Sequence, residues 1–241
     1  MLLVLAGLAN AALPQSAPAA QSFFARRNTF SFFGAYSNDS SHILLGDAAN
    51  RKLLEIGAAY GRRLFVNRIV NWQYNGEILP VALESDPVIL NTIDWTSPTV
   101  YKEQFQTLQS GPCLPASGTF TTTYNGVVYS YNYTFTCSRR WTIGEAISPV
   151  GMQWNFRPRH KLQPFFIGHG GYMYTTQPIP VTNAGSFNFT FDLGAGIELY
   201  RSPTRSIRAE YRYHHISNHE TATENPGIDN GLLQVTYSFG R

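Results

Sequence analysis

The sequence predicts an all-β fold class, an eight-stranded antiparallel up-and-down transmembrane β-barrel with long outer loops. Three observations predict it. Eight segments alternate apolar and polar residues, the pattern of a strand buried on one side only. The links between them alternate short and long, as in barrels of the bacterial outer membrane. No run reaches the roughly 18 apolar residues of a membrane helix, so a bilayer-spanning form has to be a closed barrel, which satisfies every backbone group.

The most apolar stretch comes first, MLLVLAGLANAAL, followed by the small residues Ala17-Pro18-Ala19. Residues 1–19 therefore read as a secretory signal peptide, although no basic segment precedes the apolar one. Residues 20–241 are left as one barrel domain. A net charge of +3 with 14% charged residues offers no nucleic-acid footprint, which would appear as clustered Lys and Arg. The 14 Tyr and 16 Phe fit a protein with a large lipid-facing surface. In an exported chain, Cys113 and Cys137, the only cysteines, are expected to form one disulfide. No CxxC or histidine cluster accompanies them, so no metal site is expected.

The strands follow in order. NTFSFFGAYS (28–37), KLLEIGAAY (52–60) and RLFVNRIVNWQY (63–74) are the first three, with a turn at Gly61-Arg62. Residues 75–140 read as a long loop holding both cysteines. WTIGEAISPVGMQWNF (141–156) and LQPFFIGHGGYMYTT (162–176) come next, the latter ambiguous at Phe165-Phe166-Ile167. FNFTFDLGAGIELY (187–200) alternates without a break, and 205–217 and 230–239 complete the eight. Parity points Arg208, Glu210, Arg212, Asp192, Glu198, Glu55 and Glu145 into the lumen, where eight strands leave room only for side chains. Those charges are expected to pair. Arg68 falls on the outward face and signals a bulge or shifted register.

Chemistry concentrates at the last hairpin. Ile207, Ala209, Tyr211 and Tyr213 share a face, and the same parity brings His215 and Ser217 to it. Counting back by twos from Leu233 brings Asp229 to the same side. A serine nucleophile needs a base, an orienting group for that base and donors for the oxyanion. Side chains two residues apart on a strand point the same way with Cα atoms about 6.6 Å apart, so His215 can reach Ser217. Whether Asp229 opposes His215 or Ser217 is left open by the spacing. The plainer reading is that these are polar residues ending a strand at headgroup level.

The segment HHISNHETATENPGIDNGLLQVTYSF resembles the C-terminal hairpin of outer-membrane lipid A 3-O-deacylases, the PagL-like acyloxyacyl hydrolases. The resemblance rests on His-x-Ser-Asn, a loop, then Asn-x-Gly-Ile and an acidic residue, over roughly the last 30 positions. It implies His215 as base, Ser217 as nucleophile and Asp229 as the acid that orients His215. It also implies Asn225 as an oxyanion donor, with Asn218 in support. The substrate implied is an ester-linked acyl chain of lipid A, probed from the outer leaflet of a bacterial outer membrane, with no cofactor. Two departures stand out: the family usually has Glu where this chain has Asp229, and a glycine-containing step where it has His219-Glu220. Arg51, Lys52, Arg139 and Arg140 lie near the expected outer ends, where Arg139 and Arg140 in particular are candidates for lipid A phosphates. Self-association as a homodimer is left open. The rival readings are a non-enzymatic outer-membrane barrel that binds lipid or supports the envelope, and a soluble lipocalin-like barrel with its apolar faces inward.

Overall fold

The computed structural model describes residues 23–241, so the expected signal peptide lies outside the described residues. Among the described residues there are ten strands: β1 (Asn28–Ser37), β2 (Lys52–Val66), β3 (Val70–Ser97), β4 (Tyr101–Leu108), β5 (Ala116–Tyr124), β6 (Val127–Phe156), β7 (Leu162–Thr175), β8 (Phe187–Ser202), β9 (Arg205–Ser217) and β10 (Ile228–Gly240). Eight of them close a ring, β1-β2-β3-β6-β7-β8-β9-β10, through antiparallel pairing of β1 with β10 and of β3 with β6.

The barrel is apolar outside and polar within. In β8, Phe187, Phe189, Phe191, Leu193, Ile197 and Leu199 are exposed, while Asn188, Thr190, Asp192 and Glu198 are buried. This direction of Phe189 excludes the lipocalin-like reading. The interior is filled by an ionic network around Arg212, which donates to Glu77 at 2.8 and 2.9 Å and to Glu210 at 2.8 Å. His169 bonds Asp192 at 2.8 Å beside it. Glu77, His169 and Asp192 have metal-ligand spacing, but the Arg212 guanidinium already supplies the cation between them. Nearer the short-turn end, Glu198 takes Arg26 at 2.7 Å and Asn155 at 2.6 Å. Pairing is incomplete, since Glu55 has only His214, at 3.8 Å.

Several expectations need correction. The turn between β2 and β3 lies at residues 67–69, where Arg68 is exposed, and Gly61-Arg62 is continuous strand. Glu145 is exposed on the outer wall, not in the lumen. An extra residue in β6 between Ile147 and Val150 inverts the parity, so counting from Gln153 and Asn155 misplaces everything beyond it. Phe165 and Ile167 face inward and Phe166 outward, which resolves the ambiguity in β7. The stretch 75–140 is not a loop. β3 and β6 continue past the rim as one ladder, and β4 and β5 pair on their free edges to make a four-stranded extension. Cys113 and Cys137 are joined by a disulfide that ties the link ahead of β5 to β6.

Removing one partner of a buried ion pair leaves an uncompensated charge. Arg212→Met strands Glu77, Glu210 and Asp192, and it is expected to cost about 3–5 kcal/mol in reversible urea unfolding in lipid vesicles. An unchanged midpoint would show that the lumen does not depend on this guanidinium.

Candidate active site

The β9–β10 hairpin places His215 directly opposite Asp229, deciding the register that spacing alone leaves open. His215 and Ser217 alternate with buried Arg212, His214 and Ile216 and so stand on the lipid-facing side with Tyr211 and Tyr213. Phe191 is the partner of His215 on β8, and Phe189 that of Ser217. The polar groups thus sit in an aromatic wall.

Asp229 collects donors from every side. His215 Nδ1 lies 2.7 Å from Oδ1. A carboxylate only accepts, so Nδ1 carries the proton and Nε2 presents a lone pair. Tyr213 Oη donates to the same oxygen at 2.8 Å. The backbone amides of Leu44 and Leu45 donate to Oδ2 at 2.7 and 2.9 Å. The shorter acid therefore loses no contact with His215.

Those amides belong to a strap, residues 41–47 of the β1–β2 link, laid across the outside of β10. Ser41 N donates to Asp229 O at 3.2 Å, Asp47 N to Pro226 O at 2.6 Å and Ala48 N to Gly227 O at 3.0 Å. Close approach dictates its glycine: a Cβ on Gly46 would come within 2.7 Å of Asp229 N and 2.9 Å of Asp229 Oδ1. Ile43, Leu44 and Leu45 project outward as exposed aliphatic side chains beside the hairpin. Sequence reasoning missed the strap because backbone donors leave no side-chain signature; the Ile-Leu-Leu-Gly run was the only available signal.

Among the described residues, no side-chain hydrogen bond joins Ser217 to His215. Resting sites of this kind are often loose and tighten only around substrate. Asn225 is exposed, and its Oδ1 accepts the Asn218 amide at 3.1 Å. Asn218 is buried and shapes the loop, with Nδ2 donating to Glu224 O at 2.7 Å and Oδ1 accepting Glu220 N at 2.9 Å. Its side-chain donor is thereby committed to the loop.

Arg139 and Arg140 are engaged within the protein. Arg139 donates to Ser85 Oγ at 2.8 Å and Asn50 O at 2.8 Å, Arg140 to Asp86 at 2.9 Å and Pro178 O at 2.6 Å. Arg51 is fully buried and binds Asp86, so it is not a surface cation, contrary to expectation.

The sequence profile described as Lipid A 3-O-deacylase (PagL) matches residues 94–238. The chain belongs to this family. It is accordingly an outer-membrane β-barrel and a lipid A deacylase, with its substrate in the surrounding lipid. No curated protein sequence matches. Among solved structures it is similar to Neisserial surface protein A at 10% identity and TM-score 0.41, over 89% of this chain and 97% of that one. It is also similar to OprG from Pseudomonas aeruginosa at 10% identity and TM-score 0.39, over 92% and 99%. A loop-deletion mutant of OmpT from Vibrio cholerae aligns at 7% identity and TM-score 0.23, over 88% and 97%.

His219 and Glu220, where the resemblance leads to an expected glycine-containing step, adopt left-handed backbone at φ 50° and 61°. That region favours glycine because it has no Cβ. Glu220→Gly is expected to raise stability by about 0.5–1 kcal/mol in urea unfolding; a fall would show that the loop is held by the Glu220 side chain instead.

Proposed function

We propose that the protein removes an ester-linked acyl chain, the 3-O-linked one, from lipid A by a Ser217-His215-Asp229 mechanism. The observation that carries the reading is the Asp229-His215 pair on the lipid-facing wall, two residues along the strand from Ser217. His215 Nε2 accepts the Ser217 proton as Oγ attacks the ester carbonyl. Asp229 fixes the tautomer and stabilises the imidazolium that forms. The Asn225 Nδ2 group, oriented by the bond its Oδ1 makes to Asn218, donates to the oxyanion. Return of the proton from His215 releases the glucosamine hydroxyl, and water activated by the same base frees the fatty acid from the acyl-enzyme.

The surroundings suit such a substrate. The site lies at the outer end of the wall, where an ester just beneath the headgroups passes. A chain running from Ser217 towards the bilayer centre meets Tyr213, Tyr211 and a shallow groove floored by the small residues Gly194 and Ala195. The strap's Ile43, Leu44 and Leu45 bound the opposite side.

Mass spectrometry of lipid A after expression in a host lacking such an activity tests the reading. A species lighter by one hydroxyacyl chain is expected, absent with Ser217→Ala; intact lipid A with the native protein would contradict it. Asp229→Asn is expected to lower kcat on the order of 10⁴-fold through the wrong His tautomer.

The strap generates a separate prediction. Gly46→Ala drives a methyl into the Asp229 backbone and lifts the Leu44 and Leu45 amides off the carboxylate. Turnover in mixed micelles is expected to show kcat falling at least tenfold with KM little changed. An equal rise in KM would mean that the strap binds substrate and does not orient the acid.

A further inference from the structure

The four-stranded extension has two unlike faces. On one, Tyr101 of β4, Trp95 of β3, Tyr131 of β6 and Phe120 of β5 are directly opposed across the ladder. They form a row of rings spanning all four strands: Tyr101–Trp95 at 5.6 Å, Trp95–Tyr131 at 4.7 Å and Tyr131–Phe120 at 5.2 Å between centroids. Tyr133 lies flat beside this row, over Gly118, where a Cβ would come within 2.6 Å of its hydroxyl. The other face is polar and bonded to itself, as in Gln104–Thr92 at 3.1 Å and Thr119–Asn132 at 2.7 Å. The Cys113–Cys137 disulfide brings the β4–β5 link onto this face at its base, and towards the tip Tyr101 and Phe120 remain 50% and 45% exposed.

What covers that face follows from its continuity with the barrel wall. The β3–β6 register runs unbroken from Leu83↔Ile143 to Trp95↔Tyr131. Leu83, Ser85 and Trp95 therefore share one side of β3, the side on which Ile143 and Trp141 of β6 meet lipid. At about 3.3 Å per residue the ring row stands about 33 Å along the strand beyond Ser85. The layer immediately outside a wall that meets lipid A acyl chains, at that height, is the sugar chain of the same lipopolysaccharide. The chemistry agrees. Pyranose rings present a patch of C–H bonds with partial positive charge, which packs on the negative face of an aromatic ring. Three strand spacings give the row a length of about 14 Å, enough for a short run of sugar rings. Charge argues against the phosphorylated region as ligand: residues 109–138 hold no Lys, Arg, Asp or Glu, and the aromatic face carries Glu103 and, at its base, Arg139, whose guanidinium is bonded to Ser85 and Asn50.

We propose that the aromatic face of the β4-β3-β6-β5 extension is a glycan-binding site for neutral sugars of the lipopolysaccharide that surrounds the β3–β6 side of the barrel. The binding rests on the outer-membrane location and is independent of the Ser217 mechanism, so the test uses binding and not turnover. Polysaccharide released from lipopolysaccharide by mild acid is titrated into the full-length protein in detergent by calorimetry. The native protein is expected to bind, and Trp95→Ala/Tyr131→Ala to weaken binding at least tenfold. Phe120→Leu, an edge change that leaves the ladder intact, is expected to weaken it several-fold, whereas Gln104→Ala on the polar face leaves it unchanged. Heat-modifiable migration on gels verifies that each barrel is folded. No binding by the native protein would overturn the proposal, as would equal binding by Phe120→Leu and Gln104→Ala. A dimer that the Trp95 and Tyr131 substitutions convert to monomer, without glycan binding, would overturn it in favour of a second copy on this face.

Discussion

The Arg212 guanidinium, gripped by Glu77 and Glu210 inside the barrel, is the contact on which the rest depends. A strand has a side-chain period of two, so a slip of one residue exchanges its faces. With Arg212 and His214 held inward, His215 and Ser217 are turned to the lipid side. Moving the register by one would put a guanidinium into hydrocarbon and the serine into the lumen. The charged interior thus does more than fill space, because it decides which side of the wall carries His215 and Ser217.

Orientation of the acid has a different origin. Asp229 comes to His215 by cross-strand pairing, but its second oxygen is satisfied by amides from the strap over residues 41–47. Hydrogen bonds to a carboxylate are among the stronger ones available, and here they hold the side chain against His215. The strap also crowds the Asp229 side chain, with a Cβ on Gly46 coming within 2.9 Å of its Oδ1. Its backbone closes the space that a longer side chain would fill.

Much of the barrel was legible from alternation alone. β8 and β9 read correctly residue by residue because nothing interrupts their period. Glu145 was misplaced because an extra residue near Ser148-Pro149 shifts the period, and no pattern on either side records the shift. Gly61-Arg62 looked like a turn, yet the chain runs straight through it and turns at residues 67–69. The extension read as a loop because its Thr, Asn and Tyr residues alternate too weakly in polarity, and its prolines resemble turn signals. At the site, parity brought His215, Ser217 and Asp229 together, whereas the strap's amides and the loop-shaping role of Asn218 depend on tertiary contacts that no local spacing encodes. His219 and Glu220 show the converse. Their departure from the family pattern was visible in sequence, but only the backbone shows that they occupy glycine-like conformations.

Ser217 and His215 lie on the outside of the wall, where a lipid-soluble electrophile can reach them without entering the barrel, and Asp229 is buried behind His215 under the strap. Labelling with a long-chain fluorophosphonate in micelles, followed by peptide mass spectrometry, interrogates that arrangement directly. A single adduct on Ser217 is predicted, formed with the native protein and lost on His215→Ala or Asp229→Asn while the barrel stays folded. An adduct elsewhere, or one on Ser217 that forms equally fast without the His–Asp pair, would contradict it.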